Sequence, residues 1–137
     1  MALPPYLQFF SKRRLNQVII PGSHDAGLAA QFHHALSFVG SASRTVTQDK
    51  SIAEQAKAGS RFFDVRIMNV GGELKTFHTM KNPMPWAKSD TRKIGASGES
   101  FTSIVDGLRD FVRDHDSEFV VVRLSHLRES AEVFAEL

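Results

Sequence analysis

Short runs of β-branched and aromatic residues alternate along this chain with amphipathic stretches, a rhythm that predicts repeated β/α units. Asn16 to Ile20 (NQVII) reads as a first strand, stopped by the turn residues Pro21-Gly22-Ser23. Ala29 to Val39 reads as helical, its end blurred by Gly40 and a Ser/Thr-rich stretch up to Thr47. Ser51-Ile52-Ala53-Glu54 is a capping box, with Ser at the N-cap and Glu three residues later, and Gly59 closes the helix it opens. Arg61 to Met68 (RFFDVRIM) predicts a second strand, and Glu73 to His78 a third, introduced by a Gly71-Gly72 turn. Met80 to Glu99 holds Pro83, Pro85, Gly95 and Gly98 without any period, which predicts a long loop. Behind Ser100 as N-cap, Phe101, Ile104, Val105, Leu108, Phe111 and Val112 share one helical face. Glu118 to Leu124 (EFVVVRL) reads as a fourth strand buried on both sides, and His126 to Leu137 as a last helix.

Four β/α units in 137 residues make one domain, residues 1–137, with 1–15 as an N-terminal extension and 80–99 as its long loop. A closed (β/α)₈ barrel typically needs about 250 residues. The expectation is therefore the N-terminal half of such a barrel, and the alternative is an open, mostly parallel sheet of four strands. A half-barrel leaves sheet edges open, which predicts self-association completing the barrel.

Composition narrows the function classes. With 42% apolar and 23% charged residues, the chain is neither a disordered tail nor membrane-embedded. Seventeen Lys+Arg against fifteen Asp+Glu, a formal net charge of +2, is too even for an electrostatically driven nucleic-acid binder. The absence of Cys excludes disulfide scaffolds, thiolate zinc sites and cysteine nucleophiles. No basic start followed by an apolar run marks the N-terminus, and no apolar stretch approaches the roughly 20 residues of a spanning helix. The expectation is a soluble protein, at most peripheral to a membrane, with its compartment undetermined.

The ionisable residues fall at strand ends. His24 and Asp25 follow the first strand; Asp64 and Arg66, two apart, share one face of the second; His78 ends the third; Arg123 and Ser125 end the fourth on one face. Parallel α/β folds gather reacting groups at the C-terminal ends of their strands. Two histidines, two carboxylates and two arginines suit chemistry at a phosphate. Histidine titrates near neutral pH and serves as base or acid, arginine offers a fork to the non-bridging oxygens, and carboxylates fix imidazole tautomers.

Ile20-Pro21-Gly22-Ser23-His24-Asp25-Ala26-Gly27, Ser51-Ile52-Ala53-Glu54-Gln55 and Gly59-Ser60-Arg61-Phe62-Phe63-Asp64-Val65-Arg66 resemble the bacterial form of the phosphatidylinositol-specific phospholipase C X domain. The order continues through Leu74 to His78 and Glu118 to Leu124, so the resemblance covers roughly residues 16 to 128. It implies a distorted TIM-type barrel that cleaves phosphatidylinositol, or a related phosphodiester, through a cyclic phosphate. By position, His24 is then the general base and His78 the general acid with Asp25 as its partner. Arg66 stabilises the phosphate charge with Asp64 orienting it, and Arg123 and Ser125 contact substrate. The calcium-dependent relatives carry an acidic ligand where Arg66 stands, so the resemblance implies no metal and no cofactor. Implied partners are a phospholipid or inositol phosphate and, peripherally, a membrane.

The sequence departs from the family in three places. Thr79 follows His78 where the family commonly has Gly, the 80–99 loop carries no family pattern, and the C-terminal half of the barrel, with the aspartate that pairs with the general base, has no counterpart here. Two rivals stand beside this reading: a phosphodiesterase for another phospholipid with Mg²⁺ or Ca²⁺ on Asp25 and Asp64, and an inactive half-barrel that binds inositol phosphates or a protein. Lys12-Arg13-Arg14 and Pro83-Met84-Pro85-Trp86 are candidate lipid contacts, weighed against a solvated face and a self-packed loop.

Overall fold

The alternating residues Phe62–Val70 form the longest strand of the computed structural model, which describes residues 10, 12–35, 45–79 and 95–127. In chain order the elements are β1 (Gly22–Ser23), β2 (His34–Ala35), α1 (Ile52–Lys57), β3 (Phe62–Val70), β4 (Glu73–Thr79), β5 (Gly95–Ser100), α2 (Phe101–Arg113) and β6 (Val121–Ser125). Short 3₁₀ turns lie at Leu15–Gln17 and Ala30–Phe32.

β3 is the hub of a mixed sheet. Its first half runs parallel to β1, with Gly22 opposite Phe62, and on its other side parallel to β6, with Asp64 opposite Arg123 and Arg66 opposite Ser125. Its second half leaves that frame and turns back on itself. Gly71 (φ 65°) and Gly72 (φ 89°) supply the two positive φ angles a tight hairpin needs, Asn69 Oδ1 accepts from the Gly72 amide, and β4 returns antiparallel with Ile67 opposite Thr76. β5 then pairs antiparallel with β4, and β2 with β5. The result is a half-barrel of three parallel strands extended by an antiparallel wing.

Several expectations change. The third strand belongs to a hairpin rather than to a β/α unit, because only the two-residue Gly71-Gly72 connection separates it from β3. Part of the expected loop is strand: Gly95–Ser100 pairs with β4, its small residues all but hiding the pattern of a strand. No residue of the expected first strand, Asn16 to Ile20, pairs; the turn residues Gly22 and Ser23 form β1 instead, while Leu15–Gln17 coils and Ile19 stands 95% exposed. The helix expected over 29–39 is, where described, a 3₁₀ turn and a two-residue strand. β6 is not buried on both sides; Val122 is exposed, because β3 is the strand's sole neighbour among the described residues. Most of the 80–99 loop, including Pro83–Trp86, most of the last helix and most of the N-terminal extension lie outside the described residues.

The core fills the side of β3 away from its charges. Phe63, Val65 and Ile67 are fully buried and pack with Ile52 and Ala56 of α1 and Ile104, Leu108 and Phe111 of α2. Val105 and Val112 flank that stripe and remain exposed. The capping box forms as read, with Ser51 Oγ accepting from the Glu54 amide and Glu54 accepting from the Ser51 amide. Beneath it, fully buried Arg61 joins three elements. Its Nε donates to Glu118 Oε2 at 2.8 Å, one Nη donates to the Ala56 carbonyl ending α1, and the guanidinium lies 4.7 Å from the Phe111 ring centre.

Candidate active site

With Phe63, Val65 and Ile67 turned to the core, strand alternation sends Asp64 and Arg66 to the other face of β3. The chain leaving β1 meets them there. Asp25 takes a left-handed backbone (φ 47°), a conformation that Asp tolerates better than most residues, and its side chain is 1% exposed.

That buried carboxylate is the centre of the cluster. Asp25 Oδ2 lies 2.9 Å from His78 Nδ1 and 3.4 Å from His24 Nε2, while Oδ1 lies 2.7 Å from Arg66 Nε. The Arg66 contact is an ion pair whose angle falls outside hydrogen-bond geometry. Among the described residues no hydrogen bond holds the two Nη groups of Arg66. Asp64 faces the other way: its Oδ2 lies 3.1 Å from His24 Nδ1 and its Oδ1 accepts from Ser125 Oγ at 2.8 Å.

Two expected contacts are therefore replaced. Asp64 does not orient Arg66, because the left-handed turn at Asp25 brings that carboxylate onto the guanidinium first. Ser125, expected to touch substrate, is buried and spends its hydroxyl on Asp64, across the Asp64–Arg123 register of the sheet. Arg123 itself is exposed and lines an open cavity of about 270 Å³ with Gly22, Ser23, His24, Phe62 and Asp64. Burial pushes the Asp64 carboxyl up, but the Ser125 hydroxyl, the Arg123 charge and His24 outweigh it and hold the group below its ordinary 3.8.

The backbone behind these side chains is held in a way the sequence reading missed. Four consecutive carbonyls each accept from a side chain outside the loop: His24 from Gln48 Nε2 (2.9 Å), Asp25 from Thr47 Oγ1 (2.7 Å), Ala26 from Gln55 Nε2 (2.8 Å) and Gly27 from Thr76 Oγ1 (2.9 Å). The amides of Thr47 and Gln48 both donate to the Leu28 carbonyl. Gln55 belongs to α1 and is buried, a polar residue on an apolar face, which is the one signal that marked it in advance.

His24, Asp25 and Asp64 each offer a ligand atom within 4.8 Å of the others, so these three are able to hold a cation. Arg66 already places positive charge on Asp25. No described helix is long and apolar enough to cross a membrane.

No family profile and no curated protein matches the chain. Two solved structures share its fold, both of S. aureus phosphatidylinositol-specific phospholipase C and both concerned with the modulation of its membrane binding. At 22% identity they give TM-scores of 0.57 and 0.54 over 89% and 85% of this chain. The chain spans 37% and 35% of theirs, just over a third of their length. The half-barrel is thus similar in fold to that phospholipase.

Proposed function

We propose that this half-barrel cleaves a phosphodiester of the phosphatidylinositol kind by paired-histidine acid–base chemistry, without metal, through a cyclic phosphate. One observation carries the reading: a single buried carboxylate, Asp25, touches His78 and Arg66 together and stands 3.4 Å from His24. The likeness in fold to a phosphatidylinositol-specific phospholipase C supports the substrate class.

His24 donates through Nδ1 to Asp64, which leaves Nε2 to take the proton of the attacking hydroxyl. Asp64 fills the orienting role beside this base from within the chain. The hydroxyl oxygen bonds to phosphorus and the bond from phosphorus to the lipid oxygen breaks. His78, steered by Asp25 at Nδ1, delivers a proton from Nε2 to that leaving oxygen. The Nη groups of Arg66 face the phosphate oxygens as charge builds on them, and Arg123 adds a second cation at the open cavity. Products are a cyclic phosphate and a diacylglycerol. Among the described residues β6 pairs only with β3, and we propose that its other side pairs with a second copy.

A second reading rests on the three ligand atoms of His24, Asp25 and Asp64: a metal-dependent phosphodiesterase for another phospholipid. A ³¹P NMR time course with phosphatidylinositol in detergent micelles and a chelator separates the two. A cyclic inositol phosphate resonance supports the proposal. Turnover that appears only when a divalent cation is restored favours the second reading, and binding without any turnover leaves an inactive module.

A further inference from the structure

The residues that set the acid–base geometry extend beyond those that touch substrate. Asp25 serves His78 and Arg66 only because its backbone is left-handed, and an L-residue adopts that conformation when its surroundings hold it there. Rotation about the N–Cα bond of Asp25, the bond that sets its positive φ, swings its carbonyl and its side chain together. Whatever holds that carbonyl therefore holds the carboxylate.

The holder is Thr47. Its hydroxyl donates to the Asp25 carbonyl at 2.7 Å, and its amide is anchored on the Leu28 carbonyl at 3.1 Å. Gln48 grips the preceding carbonyl, that of His24, and a parallel bridge between Ala29 and Gln48 fixes both against the loop. Thr47-Gln48 thus forms a short clamp across the turn that presents both His24 and Asp25. It leads directly into the capped start of α1, whose Gln55 takes the next carbonyl. Both residues grip backbone carbonyls, and neither lines the cavity. Gln55 and Thr76 hold carbonyls too, but they are buried structural residues whose loss threatens the core, whereas Thr47 is exposed.

We propose that Thr47 is a positioning residue: through its hydrogen bond to the Asp25 carbonyl it fixes the left-handed turn that aims the Asp25 carboxylate at His78 and Arg66. The catalytic consequence rests on the function proposed above; the structural one does not. The test combines Thr47→Val, which keeps shape and loses the donor, with Thr47→Ser, which keeps the donor. Turnover of phosphatidylinositol micelles is read beside the imidazole Nδ1 proton of His78 in ¹⁵N-resolved NMR.

Thr47→Val is expected to lower kcat about 10-fold with KM within about twofold, since misaimed groups slow the step without weakening binding. Its melting temperature is expected to stay within about 3 °C, as suits one hydrogen bond at a part-buried position. The His78 Nδ1 proton is expected to broaden or disappear in Thr47→Val and to persist in Thr47→Ser, which keeps the unaltered protein's kcat. An unchanged imidazole signal in Thr47→Val overturns the proposal, as does an equal loss in Thr47→Ser. If the unaltered protein turns over no substrate, the function fails while the NMR comparison still decides the clamp.

Discussion

Asp25 and Asp64 flank the same imidazole, yet they are held by opposite means. Asp25 sits on a left-handed turn, is almost wholly buried, and meets two charged or chargeable partners brought by β3 and β4. Asp64 sits on a regular strand between β1 and β6, takes a neutral hydroxyl from Ser125, and lines a cavity. One side of the site is built by a folded-back hairpin and a clamped loop; the other is a parallel ladder in which, among the described residues, β6 pairs only with β3. The contrast divides labour. Under the proposed function, the closed side would fix the acid and the phosphate-binding cation and the open side would leave the base accessible; 72% of the His24 side chain is exposed against 25% for His78.

The sharpest way to break that contrast is to neutralise each carboxylate in turn. Asp25→Asn removes the acceptor shared by His78 and Arg66 and is expected to lower kcat by about 10³-fold or more. Asp64→Asn changes the partner of one exposed histidine, His24, which keeps its approach to Asp25, and the expected loss is about 10-fold. Steady-state kinetics on both variants decides it; a greater loss at Asp64 than at Asp25 would mean that the open side carries the chemistry.

A second contrast is mechanical. On the closed side Gly98 of β5 lies under the Asp25 loop, and a Cβ built there would stand 2.2 Å from the Gly27 carbonyl oxygen, a backbone atom with nowhere to go. Gly98→Ala is expected to destabilise by roughly 2 kcal/mol through overpacking. On the open side Val122→Ala removes a partly exposed side chain and should cost less than about 1 kcal/mol. Urea unfolding midpoints rank the two, and equal costs would contradict the picture of one rigid and one open flank.

The same division explains what could be read in advance. The capping box at Ser51–Glu54 and the alternation through Asp64 and Arg66 are local patterns, so both were legible, and with them the strand face that bears the charges. Pairings that depend on a long return of chain were not. Nothing in His24-Asp25 announces a left-handed backbone, so Arg66 seemed free for Asp64 when it meets Asp25. β5 was hidden because close approach to Gly27 demands glycine at position 98, and its glycines and serines carry no strand signature. Thr47 and Gln48 act through carbonyls of residues more than 20 positions away, and polar residues before a helix cap look like ordinary loop.

The smallest expected effect concerns pH, and its sign separates two carboxylates at the site's margins. Asp64 is held below its ordinary 3.8, where burial is outweighed by Ser125, Arg123 and His24. Its folded pKa is depressed, so the stability it contributes is present above pH 3.8 and is lost as pH falls through the lower native value. Glu99, in β5, is held above its ordinary 4.5, chiefly by burial, although the Ile52 amide and the Ser103 hydroxyl both donate to it. Its contribution runs the other way: complete below 4.5 and lost as pH rises through the raised native value. Urea midpoints taken from about pH 3 to about pH 7 should therefore show the advantage of the unaltered protein over Asp64→Asn growing with pH. Its advantage over Glu99→Gln should shrink over the same range. Parallel trends in the two variants would mean that Asp64 is not stabilised as a carboxylate beside β6, and the proposed base, His24, would then lack its orienting anion.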